Sequence, residues 1–301
     1  MRSILALALA LLPQEAARTK PVAPPIGSGV HVTSTLTSRL AIRFTADGKE
    51  LRKFDRRVEE ATDVTIEVVA KLDDGLKLTP EEAKLIETPA APPPYVRSRY
   101  EICPVRVTGP EGTDESAAPE SSTTYYVERA ADDSKARQLF GAVVKAETAA
   151  RVLADADAFV VGPRFAPLVL NREGRPPAAG ATLDVDAAVV APLVAQAVAD
   201  GTVTKAALVF RGVEKEGATE LYAFGITLVV AWKGGDELPV TATFELAGEL
   251  KLVKATAQLF ALKLSGPIRY GGTGDENGAK LEIAGTGSLD FTYRADPLTA
   301  K

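Results

Sequence analysis

The sequence is short of the residues that most catalytic and metal chemistry requires. Its 301 residues contain one histidine, one cysteine, one methionine and one tryptophan. One Cys excludes a disulfide within the chain, and one His with one Cys excludes a multi-His or multi-Cys metal centre. No Gly-x-Ser-x-Gly elbow is present, and aromatics are only 6% of the chain, too few for extended stacking on sugars. Basic charge is short as well. The 35 Lys and Arg residues face 40 Asp and Glu, a net of -5, which argues against a nucleic-acid or anionic-membrane partner, because both reward a basic face. No uninterrupted apolar run reaches the roughly 20 residues that span a bilayer as a helix.

What is present begins with an address. Arg2 precedes the apolar run 4–12, Pro13 breaks it, and the small pair Ala16 and Ala17 follows. That order of charged start, short apolar middle and small-residue exit reads as a secretory signal peptide over residues 1–17. No cysteine lies near the exit to carry a lipid anchor. Residues 18–29 hold Pro21, Pro24, Pro25, Gly27 and Gly29 and read as an extended tether. The expected product is exported, periplasmic or extracellular, without a transmembrane segment in the mature chain.

Residues 30–296 read as one β-rich domain. An alternative is two β halves, 30–130 and 202–296, joined by a helical middle at 131–201. Over 30–44 the even positions include Val30, Val32, Leu36, Leu40, Ile42 and Phe44, against His31, Thr33, Thr35, Thr37, Arg39 and Arg43. This period of two predicts one long strand with a buried and a wet face. The alternation returns over 57–71, and Ala46-Asp47-Gly48-Lys49 supplies a hairpin turn between the two. Further strands are predicted at 95–107 and 123–129 around a mobile loop at 109–122. A short helix opens at Thr79-Pro80, and a proline-rich linker occupies 89–94.

Over 132–154 the period changes. Ala136, Leu139, Phe140, Val143, Val144, Ala150 and Leu153 recur at three- and four-residue spacing, which predicts a long amphipathic helix. A second, shorter helix is predicted at 192–200, with Pro192 at its first position. Six runs from 202 to 294 are separated by short turns, including Ala247-Gly248 and the glycine-rich 271–278, which predicts an antiparallel meander. Gly285 and Gly287 interrupt an apolar face where a bend or a close helix crossing would use them. The fold class is therefore mainly β (α+β): a large curved antiparallel sheet or partial barrel, with the long amphipathic helix packed on it and a second short helix.

Candidate chemistry is sparse. His31, the sole imidazole, falls on a wet strand face, and Cys103 precedes Pro104 as either a buried apolar thiol or an intermolecular partner. Asp184 with Asp186, and Asp155 with Asp157, are the carboxylate pairs that a glycosidase or a calcium site would use, although acids beside helix ends are ordinarily caps. The run 271–278 resembles a phosphate or calcium loop only superficially: strands flank it and it lacks the P-loop Lys. These readings assign no catalytic, cofactor-binding or metal residue, and no cofactor.

The segments Ala178-Ala179-Gly180-Ala181-Thr182-Leu183, 205–213, 248–252 and 262–266 together resemble a group of exported bacterial β-rich proteins of unknown function. The resemblance covers 178–294, with Leu183 where members similar to these carry Trp. It implies an exported β meander and no particular activity. The functional expectation is a non-catalytic extracytoplasmic protein, an envelope interaction or scaffold module with an envelope protein as partner. The alternative is a carrier holding an apolar small molecule between sheet and helix, and a carboxylate-dependent hydrolase stands third.

Overall fold

A computed structural model describes residues 26–70, 95–128, 139–140, 148–149, 151–153, 155–156, 176–195, 197–198, 201–234, 240–276 and 279–298. The expected signal peptide, most of the tether, the Thr79-Pro80 helix, the 89–94 linker and Asp157 lie outside them.

The protein is built on one large antiparallel sheet. Its strands are β1 (Gly29–Ala46), β2 (Lys49–Val69), β3 (Tyr95–Tyr100), β4 (Pro104–Gly109), β5 (Gly112–Ala117), β6 (Thr124–Glu128), β7 (Leu139–Phe140), β8 (Thr182–Asp184), β9 (Thr202–Glu216), β10 (Thr219–Lys233), β11 (Val240–Val253), β12 (Leu259–Glu276) and β13 (Ala279–Pro297). The order is β7-β6-β3-β2-β1-β13-β12-β11-β10-β9-β8, with the β4–β5 hairpin branching from β2. The path does not return on itself, so the sheet is open. The first and last strands lie side by side, from Val30 opposite Pro297 to Ala46 opposite Leu281.

Local sequence explains the first hairpin. Asp47 and Gly48 both have positive φ, 50° and 75°, the backbone a tight two-residue hairpin turn demands. The second strand starts at Lys49, eight residues before the expected 57, so Phe54 and Asp55 lie inside it. Pairing with β1 extends it through a charged stretch whose own alternation is weak.

The expected long helix is a correction. Leu139 and Phe140 form β7, paired with Val127 and Tyr126 of β6; the described residues of 148–156 are helical, and the rest of 132–154 lies outside. Leu139 and Phe140 satisfy strand as well as helix patterning, and the free edge of β6 decides between them. The second helix spans Ala187–Ala195, five residues earlier than expected, and places Pro192 inside it. Asp186 stands just before its first turn, where an acid complements the exposed amides.

Other boundaries move for the same reason. The expected 95–107 strand is two, because β3 pairs with Val64–Val69 and β4 with Arg57–Glu60 of the same long β2. The expected mobile loop at 109–122 contains β5, paired with β4. The Ala247-Gly248 turn is absent, since β11 runs unbroken to Val253. Most of the glycine-rich run 271–278 is strand, β12 reaching Glu276 and β13 starting at Ala279. The meander β9 to β13 is as expected, each strand pairing with the next.

The sheet bends at glycines. Gly248, Gly266, Gly285 and Gly287 occupy inner-face positions of β11, β12 and β13. A Cβ there would stand 1.7 Å from the Lys263 carbonyl oxygen, 2.0 Å from that of Glu245, 2.5 Å from that of Ala41 and 2.2 Å from that of Arg39, respectively. The backbones approach too closely for any side chain, which permits the sharp coiling that flat pleating resists. Gly285 and Gly287 thus serve a bend against β1, not a helix crossing. At Gly266–Pro267 the β11–β12 ladder is interrupted, and Pro267 brings no amide hydrogen to it.

The core lies on the concave face. Val32, Val64, Ile66, Val96, Phe224, Ile226, Leu250, Leu264 and Phe291 belong to one buried cluster with Val190, Leu193 and Val194 of the helix.

Candidate functional site

Two places on the inner face depart from a filled apolar core, and strand alternation explains both. Even positions of β1 and β2 point inward. On β1, Val30, Val32, Phe44 and Ala46 are buried, whereas Leu36, Ser38, Leu40 and Ile42 between them are only half-buried. The apolar face of this strand is therefore covered at both ends and open in the middle.

That opening is an apolar trough of about 630 Å³. Leu36, Leu40 and Ile42 form its floor with Leu289 of β13; Phe54 and Val58 of β2 form one wall; Val198, Trp232 and Phe244 form the other. Flat, β2 and β10 would lie five strand spacings apart, roughly 24 Å. They border one trough because the glycine bends curl the sheet between them. Gly285 and Gly287 face inward opposite Ile42 and Leu40, and the Ile42 side chain and the Tyr270 ring lie over them, 3.1 and 3.3 Å from where a Cβ would stand. Its size is that of a small-molecule site, and its walls are more uniformly apolar than such sites usually are. The exceptions that carry polar groups include Ser38, Arg52, Arg56 and the Tyr270 hydroxyl. The Arg52 guanidinium carbon lies 4.5 Å from the centroid of the Phe44 ring and that of Arg56 5.6 Å from Phe54, which ties both cations to aromatic faces at the rim.

The second place is a buried polar cluster. The Tyr100 hydroxyl donates to Asp155 Oδ2 at 2.5 Å. Arg151, four residues before Asp155, meets Glu120 Oε1 at 3.0 Å and Glu60 Oε2 at 3.2 Å, and donates to Thr62 Oγ1 at 3.2 Å. Burial drives the Asp155 carboxyl up to about 6, against the opposing effects of the Tyr100 hydrogen bond and Arg151. Burial, then Asp155, pushes the Tyr100 hydroxyl well above its ordinary value, and burial followed by Asp155 does the same to Tyr293. For Arg151 burial opposes the charge, but Glu120, Glu60 and Asp155 together hold it on more firmly. Asp155 is 7% and Glu120 1% exposed, so these carboxylates face protein and present nothing to a substrate. The cluster clamps the 148–156 segment onto β2 and β3.

The residues expected from sequence are scattered. His31 Nε2 pairs with Asp63 Oδ1 at 2.7 Å on the outer face, both side chains about 40% exposed. Cys103 is fully buried, and burial raises its thiol, the apolar alternative of the two expected for it. Asp184 ends β8 and Asp186 precedes the helix, both exposed. Among the described residues no group of three or more His, Cys, Asp or Glu is placed to hold a metal ion. Alternation could have revealed what was missed: Arg52, Arg56 and Glu60 are charged residues at inward positions of β2, where an apolar side chain is the rule.

No protein-family model matches the chain, and no curated protein matches it. Among solved structures it is similar to lipovitellin, from work on its lipid–protein interactions, at 9% identity and a TM-score of 0.29 over 92% of this chain and 26% of that one. It is also similar to DynF from the dynemicin biosynthesis pathway of Micromonospora chersina, at 8% identity and a TM-score of 0.19, over 90% and 82% of the two chains. An outer membrane channel from Pseudomonas putida F1 matches at 7% identity and a TM-score of 0.21, over 92% and 98%. The chain spans about a quarter of the lipovitellin chain. Likenesses this loose establish neither a common fold nor a common function. No helix among the described residues is long and apolar enough to cross a membrane.

Proposed function

We propose that the protein is an exported, non-catalytic carrier of an apolar ligand, held in the trough over the middle of β1. The observation behind this reading is that the apolar face of β1 is covered at its ends and half-open between Leu36 and Ile42. Leaving such a surface to water is unfavourable, and each methylene a ligand buries there contributes about 0.8 kcal/mol. A site whose floor is apolar apart from the Ser38 hydroxyl suits a hydrocarbon chain. The floor from Leu36 to Phe44 runs about 26 Å at the rise of a β-strand.

The envelope-scaffold reading asks for a filled inner face, so the trough favours the carrier over it. The hydrolase reading asks for two acids in one cleft; Asp155 and Glu120 are enclosed around Arg151, and Asp55, Glu111 and Asp114, which line a polar pocket beside the trough, are exposed side chains on the outer rim. Export remains the reading of residues 1–17.

Native mass spectrometry of the secreted protein tests both parts. Gentle spectra are expected to carry a lipid-sized adduct that denaturing spectra lose, on a chain lacking its first 17 or so residues. A bare chain that also fails to take up hydrocarbon in vitro would overturn the carrier, and an intact Met1 in a membrane fraction would overturn export.

A further inference from the structure

We infer, resting on the carrier reading, that the ligand is an anionic single-chain amphiphile, its hydrocarbon chain in the trough and its head group held at the rim by Arg52 and Arg56. Both arginines occupy inward positions of β2, opposite Phe44 and Leu40 of β1, on a face that is otherwise apolar around them. Neither has a carboxylate within ion-pair distance among the described residues. On the outward face of the same hairpin, Arg43 meets Glu50 at 3.9 Å, Lys53 meets Asp55 at 3.5 Å and Arg57 meets Glu59 at 2.5 Å. Three outward cations of the hairpin thus have an acid partner, while Arg39, Lys49 and both inward arginines have none among the described residues.

The two guanidinium groups also sit where a head group would be. Arg52 lies over Phe44 and within 5.9 Å of the Phe54 ring centroid, and Arg56 lies over the same Phe54. The aromatic contacts hold the planar groups at the boundary of apolar wall and water while leaving their N–H edges available. Asp55, Glu111 and Asp114 line a neighbouring polar pocket shared with Arg56; their charge tempers the attraction and does not cancel it, since no acid is paired to either arginine. An uncharged hydrocarbon would gain from the trough alone. A carboxylate-headed chain gains a charge-assisted contact as well.

Trp232, the sole tryptophan, lines the trough and reports its occupancy. Delipidated mature protein is titrated with palmitate and, separately, with hexadecanol, both below their aggregation limits, while the Trp232 emission is followed. Both are expected to bind, palmitate at least tenfold tighter at low salt, with the preference shrinking as salt rises. The double variant Arg52→Gln with Arg56→Gln is expected to lose the preference and keep hexadecanol affinity; Arg52→Lys with Arg56→Lys is expected to retain most of it. Both side chains are exposed, so these variants leave no buried charge behind; far-ultraviolet circular dichroism confirms that they are folded. Equal affinity for the two ligands, or a palmitate preference that survives the glutamine variant, overturns the head-group inference and leaves the carrier standing. No Trp232 response to either ligand overturns the carrier itself.

Discussion

Replacing Asp155 by Asn should make the protein more stable at neutral pH and leave it nearly unchanged in acid. Asp155 is enclosed, accepts a hydrogen bond from Tyr100 and stands near Arg151, yet burial outweighs both and raises its carboxyl from 3.8 to about 6. Between about pH 4 and pH 6 the folded protein keeps a proton that the unfolded chain has released. Stability contributed by this group is therefore fully present below the unfolded value and falls as pH rises through the folded one. Two units, at about 1.4 kcal/mol each, amount to roughly 3 kcal/mol by pH 7. Asparagine keeps an acceptor for the Tyr100 hydroxyl and removes the charge. Urea unfolding of both proteins from pH 4 to pH 8 isolates the effect, because the difference cancels the titrating groups that do not interact with Asp155. The Asn variant should gain steadily on the parent across pH 4–6 and then level off about 3 kcal/mol ahead. A difference that stays flat with pH, or an Asn variant less stable at pH 8, would refute the reasoning and make the ionised carboxylate a net stabiliser through Arg151.

Other expectations concern backbone approach and packing. Gly266→Ala places a Cβ 2.0 Å from the Glu245 carbonyl and should cost 3 kcal/mol or more, beyond the range of about 1–3 for ordinary overpacking; Gly271→Ala, whose nearest neighbour is Thr241 Oγ1 at 4.0 Å, should be within about 0.5 kcal/mol of the parent. Thermal unfolding of the pair checks this, and equal losses would remove the bend argument. Leu250→Ala, at a fully buried position, should lose about 2–5 kcal/mol, whereas Leu40→Ala in the half-open trough should lose clearly less in the same denaturation assay. Cys103, buried and with its thiol raised, should resist a thiol reagent in the native protein and react at once in denaturant; rapid native labelling would place it at the surface instead.

Much of the architecture follows from the alternation of side chains. The inward and outward sets of β1, the Asp47-Gly48 turn and the meander from β9 to β13 are local consequences of the residues themselves, because a period of two admits one pleated solution once a face is buried. The order of the whole sheet is a different matter. Nothing in the letters joins Val30 to Pro297 or sends β3 and β4 to separate stretches of β2, since pairing between distant segments depends on which edges remain open. The same dependence turned Leu139 and Phe140 into a strand on the edge of β6.

The candidate site divides in the same way. Composition already removed disulfides and multi-His or multi-Cys metal centres, and periodicity already made Leu36, Leu40 and Ile42 inward-facing. Whether an inward face is filled or hollow depends on what stands opposite, and only the folded sheet answers that. Glycines at 248, 266, 285 and 287 bring backbones within side-chain exclusion distance, the sheet curls, and β2 comes to face β10 across a gap that no described side chain fills. The polarity of each strand position was thus a property of the sequence. The trough, and the placing of two unpaired arginines at its rim, arise from curvature, which no single strand possesses.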